Sequence, residues 1–360
     1  MPGSLRRAAT LTVAVALSGC GMPGPTATSA PGSGPAASTM PTSAPSTRPT
    51  VAPSARVIHD GLRPVETGTP IELDDLTGRI VFDDFEDVLA MDPDGSNVVR
   101  VASNPAGPEF DGAWSPDGEW VVYRDSTRGI NVDDEIFIAR ADGSEKRNLT
   151  DHPANDWGPD WSPDGTTIVF NSDRDGGAIR GYTVDVDGSN LRRLPIEGWV
   201  EYPSFSPDGT RIVYEGAVGS SYEVFAADIA TGERTQLTRA PGNDGWPVWS
   251  PDGSTIAFTS ERDDCELAPP DRECWTTGEP GEHRSVYLID PDGSNLRRVA
   301  TDHGQFLAWS PDGNYLLVSG HSLHVIRPDG TGRLELRAEG IALPLGGIPD
   351  WVAKPGADGS

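Results

Sequence analysis

The chain has 360 residues and carries 55 acidic against 28 basic side chains, a formal charge of −27. Binding to a phosphate backbone needs a basic face that releases counterions, so a nucleic-acid partner is excluded as a working function. The length holds two ordinary domains or one repeat array, and the order of the predicted elements decides between them.

Arg6 and Arg7 precede an apolar run, Ala8 to Leu17, that is too short to span a bilayer and reads as a signal peptide over residues 1–19. Leu17-Ser18-Gly19-Cys20 follows and matches a bacterial lipobox, in which small residues lead to a cysteine whose thiol takes a diacylglycerol. Cys20 is therefore the expected lipidation site and mature N-terminus. Lipid methylenes contribute roughly 0.8 kcal/mol each on burial, enough to hold the protein on a membrane at its extracytoplasmic face. Residues 20–54 are nearly all Pro, Ser, Thr, Ala and Gly, with Arg48 as the single charge, so they form no core and read as a tether. Fully extended as polyproline, such a segment reaches on the order of 100 Å. Residues 55–78 read as a lead-in, either packing on the domain or continuing the tether.

Repetition governs the rest. Trp-Ser-Pro-Asp-Gly begins at Trp114, Trp161, Trp249 and Trp309, and Phe205 opens the same motif with a different ring. The spacings are 47, 44, 44 and 60 residues, and a degenerate copy ends at Trp351, 42 residues further on. Four-stranded propeller blades have this period, with one insertion accounting for the long interval. In each copy the aromatic ends a strand, Pro fixes φ, Gly takes a positive φ, and a strand such as Ile168-Val169-Phe170 or Ile212-Val213-Tyr214 begins. A third strand and a turn such as Asp185-Val186-Asp187-Gly188 lead to a fourth.

The WSPDG motif, the Ile-Val-Phe strand after it and the Asp-x-Asp-Gly-Ser-Asn turn resemble the TolB-like, PD40-type β-propeller family over residues 79–352. The resemblance implies an all-β, six-bladed propeller, with the aromatic strand innermost in each blade. It also implies closure, because residues 79–103 supply three strands without an aromatic strand and the strand around Trp351 has no followers. Residues 353–360 remain as a tail. The family's namesake meets its envelope partners through a separate N-terminal α/β domain, and no such segment is read here, so the fold transfers more readily than the role.

In this family the loops that enter the inner strands share one face. They carry Glu109, Phe110 and Asp111, then Asp156 and Trp157, then Trp199, Glu201 and Tyr202, then Asp244 and Trp246, then Gln305 and Phe306. Asp111, Asp156, Trp157, Trp199, Tyr202, Asp244, Trp246 and Phe306 are the candidate ligand-binding residues, since rigid aromatics beside carboxylates suit peptides or sugars. Packing between blades is the competing role for Trp246 and Tyr202. Gly320-His321-Ser322-Leu323-His324 departs from a nucleophile elbow at its last residue and precedes a strand where an elbow precedes a helix. No catalytic residue is assigned, and no metal site or cofactor is expected, because the histidines lack ligand spacing and the Asp-x-Asp-Gly turns lack the distal Glu of a calcium loop.

The insertion behind the 60-residue spacing contains Cys265 and Cys274, the only thiols left once Cys20 is lipidated. In an oxidising compartment they are expected to form a disulfide. The sequence thus reads as a monomeric, membrane-tethered, non-catalytic binding module for an envelope protein or cell-wall glycan. A small-molecule-processing or hydrolytic enzyme using the propeller channel is the alternative.

Overall fold

The computed structural model describes residues 69–126, 132–263, 284–301, 304–320, 322–338 and 346–354. Its repeating unit is built around the Ser-Pro-Asp-Gly turn. Gly118 N donates to Ser115 O at 2.8 Å, with Gly118 at φ +68°. The Ser115 hydroxyl donates to Asp117 Oδ1 at 2.5 Å and accepts Trp120 N at 2.9 Å, so one side chain fastens the turn to the strand that leaves it. The same bonds recur at Ser162, Ser206, Ser250 and Ser310. Serine and aspartate are thus required by hydrogen bonding, as Pro and Gly are by backbone geometry.

Six four-stranded antiparallel sheets result. Blade 2 is Glu109–Trp114, Trp120–Asp125, Glu135–Arg140 and Arg147–Asn148; blade 3 is Asp156–Trp161, Thr167–Asp175, Ala178–Asp185 and Arg192–Arg193. Blade 4 comprises Glu201–Phe205, Arg211–Val218, Ser221–Asp228 and Arg234–Gln236, and blade 5 comprises Asp244–Trp249, Ile256–Ser260, Ser285–Ile289 and Arg297–Ala300. Blade 6 is Gly304–Trp309, Leu316–Gly320, Leu323–Ile326 and Arg333–Leu336. Blade 1 joins Arg79–Asp83, Val88–Met91 and Val99–Ala102 to the C-terminal strand Gly346–Val352, with Ile80 opposite Trp351. The two ends of the array therefore pair with each other, the closure implied by the repeat count. Each inner strand lies beside the next, from blade 1 round to blade 6 and back.

Strand alternation sends successive side chains to opposite faces, and each face meets a different neighbour. Ile168 and Phe170 pack against blade 2, while Val169 between them packs against blade 4. Six apolar clusters fill the six interfaces, each containing one motif aromatic: Trp114, Trp161, Phe205, Trp249, Trp309 or Trp351, all at least nine-tenths buried. Trp161 Nε1 donates to Ala113 O at 3.1 Å across its interface and Trp351 Nε1 to Thr77 O at 2.7 Å. Phe205 fills the same position with no donor. Residues 69–78 lie along blades 1 and 6: Ile71 and Leu76 are buried in the cluster between them, and Arg327 donates to Thr69 O at 2.6 Å.

Candidate functional site

The six inner strands enclose a cavity of about 220 Å³ along the ring axis. Near its start the inner strand of each of blades 2 to 6 breaks register with the second strand, between Phe110 and Ala113, Trp157 and Asp160, Glu201 and Ser204, Gly245 and Val248, and Gly304 and Phe306. Asp111, Gly158, Tyr202 and Trp246 occupy these bulges in the left-handed region, at φ +56°, +60°, +47° and +48°. A proline follows Gly158, Tyr202 and Trp246, which suits a site where the ladder is already broken. Such conformations cost an L-residue roughly 1–2 kcal/mol, and they recur around the rim of one cavity.

The rim is asymmetric. Blades 4, 5 and 6 contribute an aromatic arc: the Tyr202 and Trp246 centroids are 5.8 Å apart, and Phe306 meets Trp246 edge-on at 5.2 Å. Arg284 covers Trp246 with its guanidinium 4.3 Å from the ring centroid. On the other side Asp111 is buried, with Arg124 Nε 3.4 Å from its carboxylate. Tyr202 and Trp246 therefore line the cavity together with Asp111, and Phe306 joins them as one aromatic arc through its contact with Trp246. Trp157 and Trp199 converge beside it, because their indole N–H groups donate to the two oxygens of Glu201 at 3.2 and 2.8 Å. Asp156 and Asp244 do not reach the cavity. Both are fully buried and paired within their own blades, to Arg174 at 2.7 Å and Arg262 at 2.6 Å. Those guanidiniums lie over Phe170 and Tyr182 in blade 3 and over Phe258 and Tyr287 in blade 5, so each acid–cation–aromatic unit fastens a blade. Cys20, Cys265 and Cys274 lie outside the described residues.

A second ring escaped the sequence reading. Asp83, Arg124, Asn171, Glu215, Thr259 and Ser319 hold equivalent places on the second strands, each one residue beyond the aliphatic or aromatic position that ends the Ile-Val-Phe pattern. Asp83, Asn171, Glu215, Thr259 and Ser319 are buried. Asn171 Oδ1 accepts the backbone N–H of Tyr202 at 3.0 Å, and Thr259 Oγ1 donates to Gln305 O at 3.3 Å, so these side chains support the bulge of the next blade. Burial and the Asp111 charge push Asp83 up to about 7. The signal was a polar residue closing every apolar strand, which binary patterning counts as a strand end. Deeper in the cavity, Asp160 accepts Phe205 N at 2.8 Å and Asp350 accepts Trp114 N at 2.7 Å, and burial together with the Asp350 charge pushes Asp160 up to about 7.

The other motifs lie in hairpin turns. In the Asp-x-Asp-Gly-Ser-Asn turns, Asn97 donates to Asp92 at 2.9 Å, Asn190 to Asp185 at 2.7 Å and Asn295 to Asp290 at 2.7 Å, while the second aspartate accepts the serine N–H. Ser322 sits in the turn between two antiparallel strands of blade 6. Among the described residues no group of three or more His, Cys, Asp or Glu side chains is placed to hold a metal ion.

The TolB beta propeller domain (PD40) matches residues 88–214 and 195–322, most of the ring just described. The chain belongs to the TolB β-propeller family. It is 30% identical over 169 residues to the uncharacterized protein Atu1656 of Agrobacterium fabrum, covering 42% of this chain and 54% of that one. It is 26% identical over 150 residues to the uncharacterized peptidase YuxL of Bacillus subtilis, covering 42% of this chain and 21% of that protein. The chain thus spans about half the length, or less, of these curated relatives. Among solved structures, TolB from Acinetobacter baumannii superposes with a TM-score of 0.61 at 20% identity, covering 77% of this chain and 67% of that one, a likeness of fold.

Proposed function

We propose that this TolB-family propeller is a tethered binding or scaffolding module whose ligand, an envelope protein or a cell-wall glycan, seats on the aromatic side of the channel mouth. The observation that carries the reading is the Tyr202–Trp246–Phe306 wall, held on strained bulges above a rigid ring. Rigid aromatics of this kind contribute most to interfaces because little side-chain entropy is lost on contact. In the same proposal Cys20 carries the lipid, residues 20–54 hold the ring away from the membrane's extracytoplasmic face, and the protein acts as a monomer without cofactor or catalytic step. The family and the fold support a binding role. The relative named as a peptidase favours the second reading, a hydrolytic or small-molecule enzyme using the channel, over a small part of that protein's length.

The test is crosslinking in intact cells, followed by identification of what is captured, with Trp246→Ala in parallel. A binding module yields a reproducible partner or wall fragment that is lost with Trp246→Ala. Recovery of the same set from both proteins, or of nothing, sinks the mouth as the binding site. A substrate turned over by the wild-type protein would move the reading to an enzyme.

A further inference from the structure

The strand pairing of blade 4 sets Glu201 directly opposite Glu215, and like charges at such a position are unfavourable. Their carboxyl groups are joined to three of the mouth tryptophans, two through the indole and one through the backbone. Glu201 accepts the indole N–H of both Trp157 and Trp199. Glu215, buried on the next interface, accepts the backbone N–H of Trp246, and a side chain on Gly245 would collide with its Oε2. Among the described residues that oxygen has no hydrogen-bond partner.

Among the described residues, the two guanidiniums that face the pair are each already paired with another carboxylate. From blade 2, Arg124 faces Glu201 and is paired with Asp111 at 3.4 Å, which adds negative charge to the same space. From blade 5, Arg284 faces Glu215 and is paired with Glu261 at 2.6 Å, which does the same. The remaining groups against the pair, the phenols of Tyr202 and Tyr222, are raised by burial and by these carboxylates and stay neutral. Burial raises both glutamates, helped by the Asp111 charge at Glu201 and by the Glu201 charge at Glu215, the direction expected of two coupled carboxyl groups that hold one proton.

We infer that the Glu201–Glu215 pair is a proton-operated control on the mouth. With one proton between them, the ionised Glu201 orients Trp157 and Trp199, and Glu215 holds the Trp246 bulge. When base in the solvent removes that proton, two adjacent charges repel across the strands, Glu215 turns from Gly245, and the wall centred on Trp246 loses its support. Ligand affinity at the mouth then falls as pH rises through the shared proton's titration. This inference rests on the reading of the mouth as the binding site, and its first test needs no ligand.

Indole 15N–1H resonances of Trp157 and Trp199 can be assigned by Trp157→Phe and Trp199→Phe and followed in the wild-type protein between about pH 5 and about pH 9, a range that includes documented buried glutamates. Both resonances are expected to move together in one transition that Glu215→Gln abolishes. Resonances that do not move, or that move unchanged in Glu215→Gln, overturn the inference. Should Glu215→Gln fail to fold, 13C-carboxyl titration of the wild-type glutamates replaces it: a pair titrating in separate steps, one of them above neutrality, supports the inference, and two ordinary acidic titrations refute it. With a crosslinked partner in hand, pH-independent affinity overturns the control. A transition in a protein that captures nothing leaves the proton linkage standing and removes the binding reading alone.

Discussion

At the scale of single residues, the motif aromatic has one physical task and the bulge residues another. Trp161 stands between Ala113, Val122, Ile136, Ile138 and Leu149 of blade 2 and Ile168, Phe170 and Tyr182 of blade 3. Replacing it with Ala removes the ring from a closed interface and strands the carbonyl of Ala113 that it bonds. Trp161→Ala is expected to cost about 3 to 5 kcal/mol, and Trp161→Phe much less, since Phe205 shows that a ring without a donor fills the equivalent space. Urea denaturation of the two variants separates the terms. An unchanged midpoint for Trp161→Ala contradicts the burial on which the ring depends. The packing role was readable from the repeat alone. The fate of Asp156 and Asp244 was not, because their partners Arg174 and Arg262 lie 18 residues away and reach back only after the hairpin folds.

At the scale of elements, the blade was legible because turn chemistry and strand propensity agree. Pro, Gly, Ser and Asp each answer a separate requirement of the Ser-Pro-Asp-Gly turn, and the strands between turns are β-branched or aromatic. The rim was less legible. A bulge adds a residue to one strand, so alternation read along the sequence loses phase where Tyr202 and Trp246 turn toward the cavity. Closure has a direct consequence. Removing residues 346–360 exposes the edge Arg79–Asp83 and the cluster holding Trp351, so the truncated protein should lose its cooperative transition or aggregate, as an uncovered edge does. An unaltered melting curve would mean that the ring does not depend on the C-terminal strand. The insertion with Cys265 and Cys274 joins Ile256–Ser260 to Ser285–Ile289 in blade 5. Mass spectrometry of the non-reduced, exported protein should find those two cysteines linked, a short loop contributing about 2 to 3 kcal/mol locally. Recovery of both as readily alkylated thiols counts against the disulfide.

At the scale of the whole molecule, the tether and the charge govern behaviour that no blade shows. Cys20→Ala is expected to leave the ring folded and release the protein from the membrane, since the first strand begins at Arg79 and the thiol alone would accept lipid. Fractionation reads the outcome, and tight membrane retention of the variant would point to another anchor.

The charge makes a prediction about pH whose sign follows from two opposed sets of carboxyl groups. Burial pushes Asp83, Glu109, Asp160 and Glu223 up to about 7, whereas in the unfolded chain such groups titrate near 4. Between those values the folded state binds more protons than the unfolded state. The stability these groups contribute is therefore complete at the acid end of the window and is lost as pH rises through about 7. Asp94, Asp142, Asp187 and Asp292 are lowered by the serine hydroxyl and N–H groups of their turns, and Asp208 is lowered to about 2. Their contribution exists above about 4 and disappears as pH falls below it. The two sets meet near pH 4 to 5, so that is where the ring should be most stable. Self-repulsion acts the same way on the alkaline side, because a formal charge of −27 is partly discharged as carboxylates take up protons. Calorimetry should give a melting temperature several degrees higher near pH 5 than near pH 8, and a decline again below about pH 4. A curve that is flat or rises from pH 5 to pH 8 would mean that the buried carboxyl groups stay ionised at acid pH, their charge balanced by Arg124, Lys146 and Arg262.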